Sequence, residues 1–269
     1  MSKYAAPLLA ILLIGASPKP EDLQSPDGIP GPPPVAGYLG DAAPDTTAIL
    51  PPAPVAGTTR YQADRTMFLA TRSMKDSPRW KLAEEDVFEW GIREELACAI
   101  GVELTNGNAP RTTMLLRRMR TDLHSSTTRP KDFYKRKRPF QVDEGEICEH
   151  ADYLKTSPDY PSGHNTFGWG VGLVMAELVP DRATQILARA RAFGESRMVC
   201  GVHNMSAVEA GRTNGSVVVA ALHGVPQFRK DLEAAAKEIA AARKQGPAPD
   251  PAACAAEAEL VAQSPYEGR

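Results

Sequence analysis

The sequence predicts an all-α protein that folds as a compact helical bundle in a single domain. From about Tyr61 onward, apolar residues recur every three or four positions, which is the period of one face of an α-helix. Segments in which apolar and polar residues alternate, as in half-buried strands, do not extend beyond short runs. The chain of 269 residues is long enough for one sizeable core, and its composition, 42% hydrophobic and 24% charged, is that of an ordinary globular protein.

Residues 1–17 are expected to be a signal peptide. Lys3 provides a positive start, Ala5–Ile14 is apolar and uncharged, and small residues follow at 15–17. The run is shorter than the ~20 apolar residues of a spanning helix, which favours cleavage over retention as a membrane anchor. We therefore expect a periplasmic or secreted protein with no membrane segment after signal removal. The formal net charge of −2 gives no reason to expect a nucleic acid polymer as a partner.

The composition divides the rest of the chain into three regions. Prolines crowd residues 18–57, and because proline is excluded from helix interiors we expect an extended or disordered segment there. For its later part, Thr47–Pro54, the alternative is that it lies along the folded body. Residues 58–245 are expected to form the helical domain. Residues 246–269 are rich in Ala and Pro and are expected to form a loose tail.

Successive apolar stripes predict the helices of the domain. Pro180 followed by Asp181 indicates that one helix stops and the next begins, with Asp181 as its N-cap. The most apolar segment, Phe167–Val179, is too short to cross a bilayer and carries Glu177. In chain order the stripes are Phe88, Ile92, Leu96, Ala99 and Ile100; Thr112, Leu116, Met119 and Leu123; Phe167, Val171, Val174 and Leu178; Val208, Gly215, Val219 and Leu222; and Phe228, Leu232, Ala235 and Ile239.

The four cysteines agree with export but do not prove it. Cys98, Cys148, Cys200 and Cys254 are dispersed and lack the CxxC spacing of a zinc site. In an oxidising compartment they can form two disulfides with three possible connectivities, and in a reducing one they serve as small buried hydrophobes.

Three short clusters contain the candidate binding and catalytic residues: Lys131–Pro139, Pro161–His164 and Ser196–His203. Phosphoryl transfer depends mostly on positioning and on stabilising negative charge on the non-bridging phosphate oxygens. The first and third clusters supply cations, and the second supplies a hydroxyl and a backbone N–H at the start of a predicted helix, where an anion is favoured. Two histidines allow a nucleophile and a general acid.

Each cluster alone also has an ordinary structural interpretation. A run such as Lys135–Arg138 is usually a solvated basic face, Pro-Ser-Gly is a common loop and cap sequence, and a single helical histidine such as His203 is usually a packing residue. The histidines His124, His150 and His223 have no comparable surroundings, and we interpret them as structural or surface residues. The combination of the three clusters, in this order, is what indicates a phosphate site.

The pattern Lys-x6-Arg-Pro, Pro-Ser-Gly-His and Ser-Arg-x5-His resembles the signature of the PAP2 phosphatase and vanadium haloperoxidase superfamily. Within it, the chain is similar to the soluble class A bacterial non-specific acid phosphatases over roughly Ala48–Arg243. Further support comes from Leu50–Pro52, Asp76–Ala83 and Val208–Arg212. The resemblance implies a compact helical bundle of the acid phosphatase type, with no metal and no cofactor.

The resemblance also implies a role for each matched residue. His203 is the implied nucleophile, which forms a phosphohistidine, and His164 protonates the leaving alcohol and then helps to activate water. The implied substrates are small phosphate monoesters, with inorganic phosphate as product and vanadate as an inhibitor, and the family suggests a homo-oligomer. The residues implied to bind the phosphate oxygens are Lys131, Arg138, Ser162, Gly163, His164 and Arg197.

One position departs from the family's pattern. The third motif normally ends with an aspartate four residues after the nucleophilic histidine, and this chain has Ala207 there. Residues four apart share a helix face, so that carboxylate would hold the ring. Glu209 is not expected to compensate, and Ser206 offers only an uncharged hydrogen bond. By analogy with a serine-protease triad we expect turnover lowered by roughly 10²–10⁴, which an Ala207→Asp variant would reveal by being faster.

The leading hypothesis is therefore a secreted acid phosphatase, impaired at Ala207. The alternative, which Ala207 motivates, is a phosphate-ester binding protein with little or no turnover. A vanadium haloperoxidase shares the anion site, but this chain is short for one and its flanking segments are phosphatase-like. A membrane lipid phosphatase shares the signature too, and the lack of predicted transmembrane helices argues against it.

Overall fold

The computed structural model describes residues 33–266, which contain eleven α-helices, several 3₁₀ turns and no strand. The all-α prediction is therefore confirmed for this part of the chain, whereas the expected signal peptide lies outside the described residues. The α-helices, numbered α1 to α11 in chain order, are Thr59–Thr71, Pro78–Glu85, Ile92–Glu95, Ala97–Ile100, Pro110–Tyr134, Ala151–Leu154, Gly163–Leu178, Ala183–Val199, Met205–His223, Pro226–Gln245 and Pro251–Ala262.

Helix α7 lies at the centre of the bundle, packed against α5, α8 and α9. The main core is built from the apolar stripes of these helices and of α10, as the sequence periodicity predicts. Met119 of α5, Val171 of α7 and Phe193 of α8 are completely buried. None of the helices within residues 33–266 is both long and apolar enough to span a membrane.

Glycines allow the central helices to approach closely at two levels. A Cβ on Gly172 of α7 would lie 2.3 Å from the Cβ of Ala190 in α8. A Cβ on Gly211 of α9 would lie 2.7 Å from the carbonyl oxygen of Ser162, at the start of α7. Both distances are shorter than van der Waals contact, so any larger residue would push the helices apart. The close approach at Gly211 brings the second turn of α9 against the start of α7, next to the site described below.

Two details differ from the sequence-based prediction of helices. The stripe from Phe88 to Ile100 is not one helix but a 3₁₀ turn at Glu89–Gly91 followed by the short helices α3 and α4. Gly91 is a poor helix former, and the break turns the Glu89 side chain towards the histidines of the site. At the other junction, Pro180–Arg182 forms a 3₁₀ turn, so α8 begins after Arg182 and not at Asp181.

The described part of the proline-rich segment lies along the folded body. It contains no α-helix, only short 3₁₀ turns at Gly40–Ala42 and Thr46–Ala48. The backbone N–H groups of Tyr38 and Leu39 donate to the Asp122 carboxylate of α5, at 2.7 and 3.1 Å. Leu50, in the later part of this segment, is buried against Tyr160, as expected for a stretch that lies along the folded body.

Residues 251–262 form a helix, where the sequence suggested a loose tail. Helix α11 begins after Asp250, whose carboxylate accepts from the N–H of Ala252, and continues to Ala262. Its alanines are the best helix formers, and the expectation gave too much weight to the flanking prolines. A disulfide between Cys98 and Cys254 ties α11 to α4. The second disulfide, Cys148–Cys200, selects one of the three connectivities left open by the sequence.

Candidate active site

A cleft of about 630 Å³ opens where the three sequence clusters meet. Lys131 comes from the last turn of α5, Arg138 from the loop after it, Arg197 from the last turn of α8, and His203 from the loop before α9. Gly163 and His164 come from the first turn of α7. All six residues line the cleft, so residues up to 72 positions apart in sequence (131 to 203) meet at one site.

His203 is buried, and both of its ring nitrogens have partners. Nδ1 lies 2.9 Å from a carboxylate oxygen of Asp159, and Nε2 lies 3.1 Å from Nη1 of Arg138. Burial, followed by the positive charges of Arg138 and Lys131, holds the pKa of His203 well below its usual range. A neutral ring that donates Nδ1–H to a carboxylate keeps its lone pair on Nε2, which faces the cations of the cleft.

Two of the cations are fixed in place by backbone and hydroxyl groups. Arg138 donates from Nε to the carbonyl oxygen of Ser157 and from Nη1 to that of Val202, each at 2.8 Å. Lys131 Nζ lies 3.3 Å from the Ser157 hydroxyl. Burial lowers the pKa of Arg138 to about 10 and, with the neighbouring Arg138 charge, that of Lys131 to about 7. Both cations are therefore positioned before any anion arrives.

Arg197 is held by a carboxylate that the sequence analysis did not consider. One of its terminal nitrogens pairs with Glu149, and both side chains are almost fully buried. Its remaining nitrogens, Nε and Nη1, are buried without a protein partner within residues 33–266. A buried guanidinium with unpaired donors is suited to bind an oxyanion.

The first turn of α7 supplies the neutral part of the site. The hydroxyl of Ser162 accepts a hydrogen bond of 3.2 Å from the Asn165 N–H, so Ser162 is the N-cap of the helix. It is fully buried behind the cleft wall, while Gly163 lines the cleft itself. The positive end of the α7 dipole therefore faces the space between the cations.

His164 lies between the carboxylate of Glu89 and the aromatic ring of Phe193. Its Nδ1 is 3.2 Å from Glu89, and its ring stacks on Phe193 with centroids 4.2 Å apart. Its Nε2 is buried and has no protein partner in the described part of the chain. Burial, followed by the Arg197 charge, lowers the pKa of His164, whereas the contact with Glu89 raises it. The free nitrogen is the one available to a ligand in the cleft.

The chain is similar to several known proteins. Residues 113–231 match the family model described as the PAP2 superfamily. An acid phosphatase of Zymomonas mobilis subsp. mobilis is 39% identical over 78% of this chain and 81% of its own length. A non-specific acid phosphatase of Providencia stuartii is 35% identical over 74% and 83%, and one of Salmonella typhimurium is 34% identical over 71% and 78%.

The chain belongs to the PAP2 superfamily. The matched segment contains all three clusters and therefore every residue expected to bind phosphate or to act on it. The similarity to the acid phosphatases continues well beyond that segment, in agreement with the class of PAP2 protein that the sequence resembles.

The PAP2 site differs at Ala207, which is buried in a small apolar cluster with Tyr160. Neither neighbour considered in the sequence analysis approaches the histidine: the Ser206 hydroxyl is bonded to Asp64, and Glu209 is exposed. Moreover, His203 precedes α9, so the argument that residues four apart share a helix face does not apply to it.

Sequence reasoning missed three carboxylates of the PAP2 site and misjudged one histidine. Asp159, Glu89 and Glu149 contact His203, His164 and Arg197 respectively, from positions that no motif marks. His124, which we interpreted as a structural or surface residue, lines the cleft and lies 2.8 Å from Glu89. In contrast, His223 is bonded to Glu177 at the surface and His150 is exposed, as expected.

Proposed function

We propose that this protein is an acid phosphatase that hydrolyses small phosphate monoesters through a phosphohistidine at His203. The observation that carries the proposal is the arrangement of a buried, neutral His203 beside the cations Lys131, Arg138 and Arg197. The named activity of its PAP2 relatives supports the same reaction class. Because the pKa of His203 lies well below its usual range, acid is less able to protonate Nε2 and remove the lone pair that attacks phosphorus.

In the first step, Nε2 of His203 attacks phosphorus in line with the leaving oxygen. The new N–P bond forms as the ester P–O bond breaks, and the non-bridging oxygens rest on the guanidinium groups, the ammonium group and the α7 N-terminus. The negative charge of the bound ester opposes the effect of Arg197 on His164 and favours a protonated ring. His164 then gives its Nε2 proton to the leaving alkoxide, which departs as the alcohol.

In the second step, water replaces the alcohol. Neutral His164 takes a proton from the water as its oxygen attacks phosphorus, the P–N bond to His203 breaks, and inorganic phosphate is released. The same groups stabilise the charge in both steps, so the cleft needs no rearrangement between them. The carboxylate of Glu89 supports the ring of His164 while it carries the proton.

We further propose that the mature protein acts in the periplasm or outside the cell. The basis is the signal-like sequence at residues 1–17 and the pairing of all four cysteines in two disulfides, which form in oxidising compartments. Expression of the full chain in a bacterial host tests this: we expect activity in the periplasmic fraction and a mature N-terminus near residue 18. Activity confined to the cytoplasmic fraction with residue 1 retained would contradict it.

Hydrolysis of p-nitrophenyl phosphate between about pH 4 and 8 tests the reaction. The wild type is expected to be active, and His203→Ala and His164→Ala are expected to lose activity. His223→Ala is the matched control, because that histidine lies outside the cleft. Rapid quenching with ³²P-labelled substrate should yield an acid-labile phosphoprotein in the wild type and none in His203→Ala. A wild type that binds vanadate without turnover or labelling would favour the phosphate-binding alternative.

A further inference from the structure

We propose that Asp159 is the positioning residue for the nucleophile and performs, from another segment of the chain, the role that the family assigns to residue 207. This inference rests on the proposed function, since it concerns the same histidine. It replaces the expectation that Ala207 leaves the ring without a carboxylate. The site is then a complete catalytic site with a relocated acid, and not a disabled one.

The contact between the two side chains has the geometry of an orienting hydrogen bond. Oδ1 of Asp159 lies 2.9 Å from Nδ1 of His203, and neither side chain is accessible to more than a trace of solvent. Since the carboxylate accepts, Nδ1 carries the proton and Nε2 is left unprotonated, as attack on phosphorus requires. The opposite nitrogen faces Arg138, which lines the phosphate cleft. Both ends of the ring are therefore fixed along the line of attack.

Asp159 is itself held in one orientation. Its oxygens accept from the backbone N–H and the side-chain amide of Asn204, at 3.1 and 2.8 Å. Arg136 lies 3.5 Å from the second oxygen and is also bonded to Asp64. The backbone N–H of Asp159 donates to the carbonyl oxygen of Arg136 at 2.9 Å. A buried carboxylate with these partners is a fixed support for a ring that becomes cationic during turnover.

The surroundings of Ala207 explain why the two positions are alternatives. Ala207 is completely buried beside Tyr160, the residue that follows Asp159, and its carbonyl oxygen accepts from the N–H of Ser162 at 3.0 Å. In the family's pattern an aspartate at 207 serves the nucleophilic histidine, so we expect Ala207→Asp to place a second buried carboxylate near the same ring. Two adjacent buried carboxylates repel each other and favour a neutral acid, so the second adds no orienting charge.

A purely structural role for Asp159 is the rival interpretation, because its bonds to Asn204 also stabilise the start of α9. Four variants separate the two: Asp159→Asn, Asp159→Ala, Ala207→Asp and the double variant Asp159→Ala/Ala207→Asp. Asp64→Asn is the matched control, because Asp64 is equally buried and bonded to Arg136 but does not touch His203. We expect it to lose thermal stability while its kcat changes less than about tenfold.

For Asp159→Asn we expect kcat lowered by roughly 10²–10⁴ with KM nearly unchanged, because the ring loses its charge partner and its tautomer but the phosphate cations remain. Ala207→Asp alone is expected to be no faster than the wild type. The double variant is expected to recover at least about tenfold over Asp159→Ala, since a carboxylate again reaches the ring from the family's position. In ¹⁵N spectra, His203 of the wild type should carry its proton on Nδ1, and that of Asp159→Asn should lose this preference.

Three results would overturn the inference: a kcat of Asp159→Asn within about threefold of wild type, no recovery in the double variant, or a gain of orders of magnitude in Ala207→Asp alone. The kcat of Ala207→Asp and the ¹⁵N spectrum of the wild type do not depend on any Asp159 variant, so both remain decisive even where those variants do not fold. A wild type without any phosphatase activity would instead refute the proposed function, and the ¹⁵N spectrum would then still show whether Asp159 holds the Nδ1 proton.

Discussion

Replacing Lys131 with arginine tests how the phosphate cleft depends on pH. Burial and the Arg138 charge lower the pKa of Lys131 to about 7, so the free enzyme loses this ammonium charge above about pH 7. Arg138, under similar burial, keeps a pKa of about 10. An arginine at position 131 is therefore expected to stay protonated well above neutrality.

The size of the effect follows from the two protons that the free enzyme needs. His164 must carry a proton to act as the acid, and its lowered pKa makes kcat/KM fall about tenfold per pH unit on the alkaline side. Loss of the Lys131 proton above about pH 7 adds a second factor of about ten per unit. Lys131→Arg removes only this second factor. At pH 7 half of the wild-type lysine is already neutral, so between about pH 7 and 9 the kcat/KM of the variant should rise about 50-fold relative to that of the wild type.

The assay is kcat/KM for p-nitrophenyl phosphate at half-unit intervals from about pH 4 to 9, at constant ionic strength. Lys137→Arg is the control, because Lys137 is exposed and lies outside the cleft. We expect its profile to overlay that of the wild type. An alkaline limb of unchanged slope in Lys131→Arg would refute the assignment of Lys131 as a titrating phosphate ligand.

Three further predictions concern stability and the acid histidine. Removing the disulfide with Cys98→Ser and Cys254→Ser should cost about 2–5 kcal/mol in the free energy of unfolding with kcat unchanged, and equal melting temperatures would contradict this. Gly168→Ala places a Cβ 2.3 Å from the Phe193 ring, so we expect a loss of about 1–3 kcal/mol together with a lower kcat, checked by calorimetry and steady-state kinetics. Glu89→Gln removes the anion that raises the pKa of the acid histidine, so the alkaline limb of kcat/KM should move to lower pH, and a limb that stays in place would count against the assigned contact.

The long helices were predictable from sequence because their burial is periodic. Helices α5, α7, α9 and α10 each carry an apolar stripe that only a helix places on one face. The segment from Phe88 to Ile100 has a similar stripe, but Gly91 and the inward turn of Glu89 break it into short pieces. Helix α11 is apolar almost all round and so has no amphipathic stripe. A disulfide and the ion pair of Glu257 with Arg189, at 3.2 Å, hold it in place, and no periodicity reveals either.

The part of the candidate site that was predictable is the part whose residues occur together in short clusters of the sequence. Lys131, Arg138 and Arg197 carry their function in their residue type and spacing. The supporting carboxylates do not, because Asp159 contacts a histidine 44 residues away and Glu89 contacts one in a distant helix. A carboxylate that supports a catalytic side chain can come from any segment that the fold brings next to that side chain. The missing aspartate at position 207 was therefore evident from the sequence, whereas the carboxylate of Asp159 that takes its place was evident only from the fold.

The segment at residues 157–164 contacts two of the cations and the nucleophile of the cleft and ends at the acid. Ser157 contacts both Lys131 and Arg138, Asp159 holds the nucleophile, and the acid His164 stands at the segment's end. A local opening of this one stretch disconnects the cations, the nucleophile and the acid together, so partly assembled forms of the enzyme should not accumulate. The amide hydrogens of these residues should therefore exchange with a single opening free energy. Molecules in which the segment is open should have no catalytic activity.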